Sequence, residues 1–143
     1  MNISDEGVDL IKSFEGCRLD AYLDSVGICT IGYGHTGSEV KRGDTIDDAE
    51  ADRLLRSDLR TAEKCINACV TGNLTQNQFD ALCSFVFNLG CASLRNSTLL
   101  RKLNSGEHEE AAEEFQKWNH AGGKVLSGLT KRRHAEADLF QSA

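Results

Sequence analysis

Glutamate, aspartate and threonine side chains at positions 15, 24 and 30 are the first candidates for chemistry in this 143-residue chain. Glu15 ends a predicted helix, where helix carbonyl groups and apolar neighbours favour its protonated form. Asp24 lies in the polar loop "LDSVG", which favours an ionised carboxylate, and the Thr30 hydroxyl can hold a water molecule. One protonated and one ionised carboxyl group are the groups that hydrolyse glycosidic bonds. With 22 acidic residues in the chain, however, this spacing alone favours ordinary surface charges.

The stretch "GICTIGYGHTG", residues 27–37, has the pattern of two short strands joined by a glycine-rich turn. Besides Thr30 it contains a thiol, Cys29, and an imidazole, His35. One interpretation makes Cys29 a nucleophile and His35 its base, as in a cysteine-dependent murein amidase or peptidase. No third group that would orient the imidazole is evident. A structural His35 that pairs with a carboxylate is therefore favoured over a catalytic base.

The elements around these residues predict an α+β fold that is mainly α. Helical periodicity predicts a first helix over 3–14, with Ser4 as its N-cap. Alternating polar and apolar residues over 15–46 predict a small lobe of antiparallel strands. A long connecting helix is predicted over 47–70, with Thr45 as its cap.

The remainder, 74–143, is predicted to be a helical lobe, so that the whole chain, 1–143, forms a single two-lobed domain with a cleft between the lobes. The segment "FDALCSFVFNLG" is apolar nearly all round, which predicts a buried central helix, and the preceding "TQNQ" predicts a capping box at Thr75. Two shorter helices that end at Gly106 and Gly122 and a last helix are expected to follow.

Composition excludes several classes of protein. Hydrophobic residues make up 40% and charged residues 27%, which is typical of a soluble globular protein. The net charge of −6 arises in the first half, and neither half has the basic surplus of a nucleic-acid-binding protein. No apolar run is long enough to span a bilayer, and the acidic N-terminus is not a signal peptide. We therefore expect synthesis in the cytosol, without stable membrane insertion.

The cysteines form an even set that allows 15 pairings. They are Cys17, Cys29, Cys65, Cys69, Cys83 and Cys91. Without a secretion signal, reduced and buried thiols are favoured. Cys65 and Cys69 share a helix face, but two thiols without a further ligand at metal spacing do not make a zinc site. The sequence therefore predicts no metal and no other cofactor.

The segment "FEGCRLDAYLDSVGICTIGYGHTG" closely resembles the N-terminal segment of the bacteriophage lysozymes, the endolysins of glycoside hydrolase family 24. The segments "LTQNQFDALCSFVFNLG", "NSTLLRKLN" and "WNHAGGKVLSGLTKRR" are similar to later blocks of that family, in the same order. The resemblance covers essentially the whole chain. It implies a lysozyme-like fold and hydrolysis of the β-1,4 bond between N-acetylmuramic acid and N-acetylglucosamine in bacterial peptidoglycan.

The resemblance also implies roles for individual residues. Glu15 would be the general acid that protonates the leaving oxygen. Asp24 would orient the attacking water or stabilise the oxocarbenium-like transition state, and Thr30 would help to position that water. An inverting reaction is implied. The substrate contacts that the resemblance implies are Phe87, Asn88 and Ser97, for which core packing of Phe87 and helix capping by Ser97 are the alternatives. His35 and Arg133 are added as candidate substrate-binding residues.

The implied partner is the peptidoglycan glycan strand, bound by a monomer. The protein would accumulate in the host cytoplasm and reach the wall once a separate protein has permeabilised the membrane. A catalytically weak or inactive peptidoglycan-binding relative is the second alternative. The chain departs from the family motif at Cys29, where a proline usually precedes the threonine, and this departure leaves the stiffness of that strand open.

Overall fold

The computed structural model describes residues 1–142, so the last residue of the predicted helical lobe lies outside the described part. The fold is α+β and mainly α, as the sequence predicts. The chain divides into two compact units: Val8–Thr61, which we call the β unit, and Met1–Gly7 with the chain from Ala62 onward, which we call the helical unit.

A three-stranded antiparallel sheet, most of a first helix and the first part of a long second helix form the β unit. The elements are α1 (Asp5–Glu15), β1 (Arg18–Leu23), β2 (Cys29–Gly32), β3 (His35–Thr36) and α2 (Asp48–Cys69). The strands are ordered β1-β2-β3. Thr30 on β2 pairs with Tyr22 on β1 and with Thr36 on β3. Gly34 lies in the β2–β3 turn with φ +84°, a conformation that glycine adopts without steric cost.

Side-chain hydrogen bonds mark where the two helices begin. The Ser4 hydroxyl accepts a hydrogen bond from the backbone N–H three residues on at 3.2 Å, which confirms the predicted cap of α1. The predicted cap of α2 is wrong. Asp47 Oδ1, rather than Thr45, accepts the hydrogen bond from the Glu50 N–H, at 2.8 Å. Thr45 instead forms an isolated β-bridge with Asp20.

The helical unit contains the end of α2, five further helices and a small hairpin. The helices are α3 (Gln76–Leu89), α4 (Cys91–Arg95), α5 (Thr98–Asn104), α6 (His108–Glu114) and α7 (Ser127–Gln141). The capping box that the sequence predicts is present at the start of α3: the Thr75 hydroxyl accepts from the Gln78 N–H, and the Gln78 side chain accepts from the Thr75 N–H. Most of α3 is buried, as its apolar sequence predicts.

The prediction of a helix that runs to Gly122 is wrong for the second half of that segment. α6 ends at Glu114, one turn of 3₁₀ helix follows at Phe115–Lys117, and the chain then forms the hairpin β4 (His120–Ala121) and β5 (Lys124–Val125). Gly122 and Gly123 connect these strands with φ +59° and +78°. Two adjacent glycines with positive φ are a hairpin signal, and here they override the helical pattern.

Aromatic rings dominate the core of the helical unit. The Phe85 ring packs edge-on against Phe115 and Trp118, with centroids 5.6 and 5.5 Å apart, and Phe115 packs against Phe140 at 5.4 Å. Such contacts add to the stabilisation that apolar burial provides. This core anchors α3 and α7, the helices that contain Phe87, Asn88 and Arg133.

The expectation of reduced thiols is wrong for two cysteines. Cys65 at the end of α2 and Cys91 at the start of α4 form a disulfide, with Cα atoms 5.9 Å apart. Cys17, Cys29, Cys69 and Cys83 are free thiols, but only Cys83 is buried as expected: Cys17 is exposed, and Cys29 and Cys69 are half-buried. No local sequence pattern predicts this disulfide, because its cysteines are 26 residues apart and their contact depends on where α4 packs.

No helix within residues 1–142 combines the length and apolar character needed to cross a bilayer.

Candidate active site

Glu15 is placed by the end of α1. It is the last residue of the helix and is half-buried. Gly16 follows with φ +68°, and its N–H bonds to the Lys12 carbonyl at 3.3 Å, so the chain leaves the helix directly after the carboxylic acid. A Cβ atom at Gly34 would lie 3.9 Å from Glu15 Oε1, which places the carboxyl group beside the β2–β3 turn.

Asp24 is placed by the turn that follows β1. Its Oδ1 accepts hydrogen bonds from the N–H groups of Val26, at 2.9 Å, and Ile28, at 2.8 Å. The Asp24 N–H in turn donates to the Ile28 carbonyl at 2.9 Å. Aspartate favours such turns because its short side chain satisfies the backbone locally. Within residues 1–142, its Oδ2 accepts no hydrogen bond, so this oxygen is the one available to a ligand.

Thr30 lies in the central strand and is 4% exposed. Its hydroxyl donates to the Ile28 carbonyl at 2.9 Å. A hydroxyl that donates once keeps lone pairs that can accept from a water molecule. The Ile28 backbone thus holds both Thr30 and Asp24, and the β unit contains all three proposed catalytic residues.

His35 bridges two carboxylates. Its Nδ1 lies 2.8 Å from Asp58 Oδ2 and its Nε2 lies 2.6 Å from Glu39 Oε1. Burial lowers the pKa of His35, but the hydrogen bonds to Glu39 and Asp58 and the negative charge of both residues outweigh it and raise the pKa above its usual value. With both ring nitrogens engaged, His35 is built as a structural bridge. It has no nitrogen left to act as a base for Cys29.

An ion pair that the sequence did not reveal fixes the turn of α1 before Glu15. The Lys12 ammonium lies 2.6 Å from Asp52 Oδ1 on α2, and Arg56 Nε donates to Asp52 Oδ2 at 2.8 Å. The hydrogen bond to Asp52 raises the pKa of Lys12, against the lowering effect of burial. Because 40 residues separate Lys12 from Asp52, no local pattern identifies this support.

The other candidate residues lie in the helical unit. Phe87 is half-buried and Asn88 is exposed, both on the last turn of α3. Ser97 is 7% exposed and caps α5: its hydroxyl accepts from the Leu100 N–H at 3.0 Å and donates to the Leu94 carbonyl at 2.6 Å. Ser97 therefore has a structural role that accounts for its position.

Arg133 is fully buried, which leaves none of its side chain exposed to a ligand. Its Nε lies 2.7 Å from Glu136 Oε1, and its Nη2 donates to Asn88 Oδ1 at 2.8 Å. Arg132 joins the same cluster, 3.3 Å from Glu136 Oε2, and Ser84 also donates to that oxygen. Burial raises the pKa of Glu136 and lowers that of Arg133, and their mutual attraction opposes both changes. Arg133 was a candidate for direct substrate contact. In the structure it instead holds the Asn88 side chain.

The family model for phage lysozymes matches residues 12–136. The chain belongs to the phage lysozyme family. The endolysin of Acyrthosiphon pisum secondary endosymbiont phage 1 is 47% identical over the full length of both chains. The endolysin of Bacillus phage B103 is 48% identical over 98% of this chain, which spans 54% of that relative's length.

The fold agrees with this membership. A crystal structure of a mutant of P22 lysozyme superposes with a TM-score of 0.93 and 44% identity, over 99% of each chain. Family and fold together place the chain among the lysozyme-type hydrolases.

Proposed function

We propose that this phage lysozyme family member is an endolysin that hydrolyses the β-1,4 bond between N-acetylmuramic acid and N-acetylglucosamine in bacterial peptidoglycan. One observation carries the proposal. The residues that match the family's catalytic set, Glu15, Asp24 and Thr30, all lie in the β unit. They lie at a helix end, in a turn and on a strand respectively, and hydrogen bonds hold each of these segments.

Glu15 acts as the general acid in this proposal. Glu15 is the last residue of α1, and its carboxyl group lies beside the β2–β3 turn. In glycoside hydrolysis such an acid gives its proton to the leaving oxygen as the bond to the sugar breaks. The Lys12–Asp52 ion pair fixes the preceding turn of the helix and so helps to orient the carboxyl group.

Asp24 and Thr30 act on the attacking water. Asp24 is anchored through Oδ1, which leaves Oδ2 to accept a proton from water or to stabilise positive charge on the sugar. The Thr30 hydroxyl, which donates to the Ile28 carbonyl, accepts from the same water and fixes its position. We propose that the water attacks opposite to the leaving group, as the family resemblance implies, which inverts the anomeric centre.

Substrate contacts in the helical unit are assigned to Phe87 and Asn88, whose side chains are accessible. Ser97 and Arg133 support them from within the fold: Arg133 fixes the Asn88 amide, and Ser97 fixes the start of α5. His35 supports β3 through Asp58 on α2. We further propose that the protein acts as a monomer and meets the wall after the host membrane has been permeabilised.

The experiment that tests this proposal is digestion of purified peptidoglycan, followed by mass spectrometry of the products. The wild-type protein is expected to release fragments with a reducing-end muramic acid. Glu15→Gln keeps the size of the side chain but cannot donate the proton, so we expect the rate to fall by at least about 100-fold. Glu113→Gln is the matched control, because Glu113 is an exposed acid on α6, and it should retain full activity.

Two outcomes would contradict the proposal. Undiminished digestion by a folded Glu15→Gln variant would remove the acid from the mechanism. Products with anhydro-muramic ends would indicate a lytic transglycosylase instead of a hydrolase. Iodoacetamide tests the remaining alternative, because it inactivates a thiol-dependent amidase, whereas the proposed enzyme keeps its activity.

A further inference from the structure

Three cysteine sulfur atoms converge in the helical unit. Cys65 and Cys69 lie one turn apart on α2, and Cys91 is the first residue of α4. Their three sulfur atoms all lie within 4.8 Å of one another. Two of them, Cys65 and Cys91, form the disulfide, and Cys69 is the free third thiol. This convergence is unrelated to the residues proposed for catalysis.

The spacing of the sulfurs suits a soft metal ion once the disulfide is open. Thiolates bound to Zn²⁺ at about 2.3 Å lie about 3.8 Å apart in a tetrahedral site. The Cys69 sulfur lies within 4.8 Å of the other two, at most about 1 Å beyond this spacing. The Cys65 and Cys91 sulfurs, which are bonded to each other, move apart once the disulfide is reduced, and side-chain rotation of half-buried Cys69 and Cys91 can adjust all three distances. Thiolate ligands select Zn²⁺, Cd²⁺ and Cu⁺ over hard cations such as Mg²⁺.

A positive charge lies next to the cluster. Arg95 lies one turn after Cys91 on α4. Its Nη2 donates to the Cys91 sulfur, with a separation of 3.5 Å. Three thiolates around a divalent ion carry a net charge of −1, which a nearby guanidinium stabilises. Cys83, by contrast, is buried, and burial raises the pKa of its thiol.

We propose that Cys65, Cys69 and Cys91 form a redox-gated site for a soft divalent cation such as Zn²⁺ or Cd²⁺. A dithiol reductant supplies two electrons and two protons, the Cys65–Cys91 bond breaks to give two thiols, and the reductant is oxidised to its own disulfide. The metal ion then binds three sulfur atoms and displaces three protons, with water as a fourth ligand. In the oxidised chain only the Cys69 thiol remains, and the site is closed.

The sequence alone predicts no such site, because Cys65 and Cys69 have no third ligand at metal spacing. The fold supplies that ligand from α4, 26 residues beyond Cys65. The inference is independent of the proposed hydrolase activity, which uses no metal ion.

The test is titration of the whole chain with Cd²⁺, before and after treatment with a phosphine reductant under nitrogen. Thiolate-bound Cd²⁺ gives an intense ultraviolet charge-transfer band, and a pH indicator reports the released protons. We expect one Cd²⁺ to bind tightly per reduced chain with release of about three protons. We expect no tight binding to the oxidised chain.

Cys69→Ser is the deciding variant. It keeps the Cys65–Cys91 pair and replaces a half-buried thiol with a hydroxyl of similar size, and circular dichroism verifies its fold. Its affinity for Cd²⁺ in the reduced state should fall by at least about tenfold. Cys69→Ala provides a second test of the same loss. Cys17→Ser, which removes an exposed thiol of the β unit, is the control and should bind Cd²⁺ as the wild type does.

Either of two results overturns the proposal. One is a reduced wild-type chain that binds no Cd²⁺ at one equivalent. The other is equal affinity in the wild type, Cys69→Ser and Cys69→Ala, which would show that the third sulfur does not take part.

Discussion

In the β unit, Asp24 is held by backbone groups two and four residues away. In the helical unit, Arg133 and Glu136 are held by α3 side chains that lie 45 and 52 residues away along the chain. The first arrangement lies at the surface, where Val26 and Ile28 are 76% and 50% exposed. In the second, Arg133 and Glu136 are fully buried. The two regions therefore fix polar side chains by different means.

The difference has a consequence for what each region tolerates. A turn that closes on itself at the surface positions a functional group with little dependence on the rest of the fold. A buried charge cluster depends on every partner, because removing one charge leaves another uncompensated in a medium of low dielectric. Substitutions in the β unit should therefore reduce activity more than stability, and substitutions in the buried cluster should do the opposite.

The largest effect is expected for Glu136→Gln. The carboxylate is fully buried, 2.7 Å from Arg133 and 3.3 Å from Arg132, so its removal leaves two guanidinium groups without their counter-charge. We expect the free energy of unfolding to fall by about 3–5 kcal/mol, measured by chemical denaturation. Glu50→Gln is the matched control, since its exposed pair with Arg53 should contribute nothing measurable. Equal losses in both variants would contradict the contrast.

Asp24→Asn and Asp24→Ala separate the two roles of Asp24, which holds its turn and provides the proposed catalytic carboxylate. Asparagine keeps an oxygen that accepts from Val26 and Ile28, so the turn should survive, whereas alanine removes the acceptor and should cost about 1 kcal/mol of stability. Both variants lose the carboxylate, and we expect both to slow peptidoglycan digestion by at least about 100-fold. An active Asp24→Asn would limit Asp24 to holding the turn.

The same contrast explains what the sequence could predict. The capping box at Thr75, the Ser4 cap and the buried helix α3 depend on residues close together in the chain, and all three are confirmed. The Lys12–Asp52 pair depends on which elements pack together, which no local pattern encodes. The same is true of the third sulfur of the cysteine cluster, which α4 supplies.

Local competition between two polar residues accounts for the wrong helix cap of α2. Thr45 and Asp47 are both plausible caps for α2, and a bridge between Thr45 and Asp20 decides between them. The catalytic assignment of Glu15 rests on resemblance to a family. Spacing of acidic residues cannot distinguish a catalytic acid from a surface charge, because that difference lies in three-dimensional surroundings.

His35→Gln tests the bridge from His35 to Glu39 and Asp58. This bridge is less local than the Asp24 turn and less buried than the pair of Arg133 and Glu136. The pKa of His35 is raised in the folded protein, so its charged form stabilises the fold below the unfolded value of about 6.5, and this contribution disappears as the pH rises through the folded pKa. We expect the variant to lose about 2 kcal/mol at mildly acidic pH and clearly less at alkaline pH, measured by denaturation at each pH.

His134→Gln is the control for that experiment. His134 lies 3.4 Å from Asp138 on α7, but both side chains are largely exposed, at 70% and 65%. Its replacement should leave the pH dependence of stability unchanged. A loss at His35 that is constant across pH would indicate lost packing rather than lost charge.

The smallest effects are expected at two glycines. Gly34 has φ +84°, so Gly34→Ala should cost about 1 kcal/mol of stability through backbone strain, although the new methyl group would lie at ordinary contact distance, 3.9 Å, from Glu15 Oε1. Gly128 is exposed in the first turn of α7 and has open space around it, so Gly128→Ala should stabilise the protein by about 0.5 kcal/mol. Thermal unfolding measures both changes.

The rate of peptidoglycan digestion then distinguishes Gly34→Ala from Gly128→Ala. Strain at Gly34 shifts the turn beside the Glu15 carboxyl group, and small displacements of a reacting group reduce rates steeply, so we expect roughly a tenfold loss of digestion rate. Gly128→Ala changes a helix end that positions none of the proposed catalytic residues and should leave the rate unchanged. If Gly34→Ala were destabilised yet fully active, the β2–β3 turn would have no part in orienting Glu15.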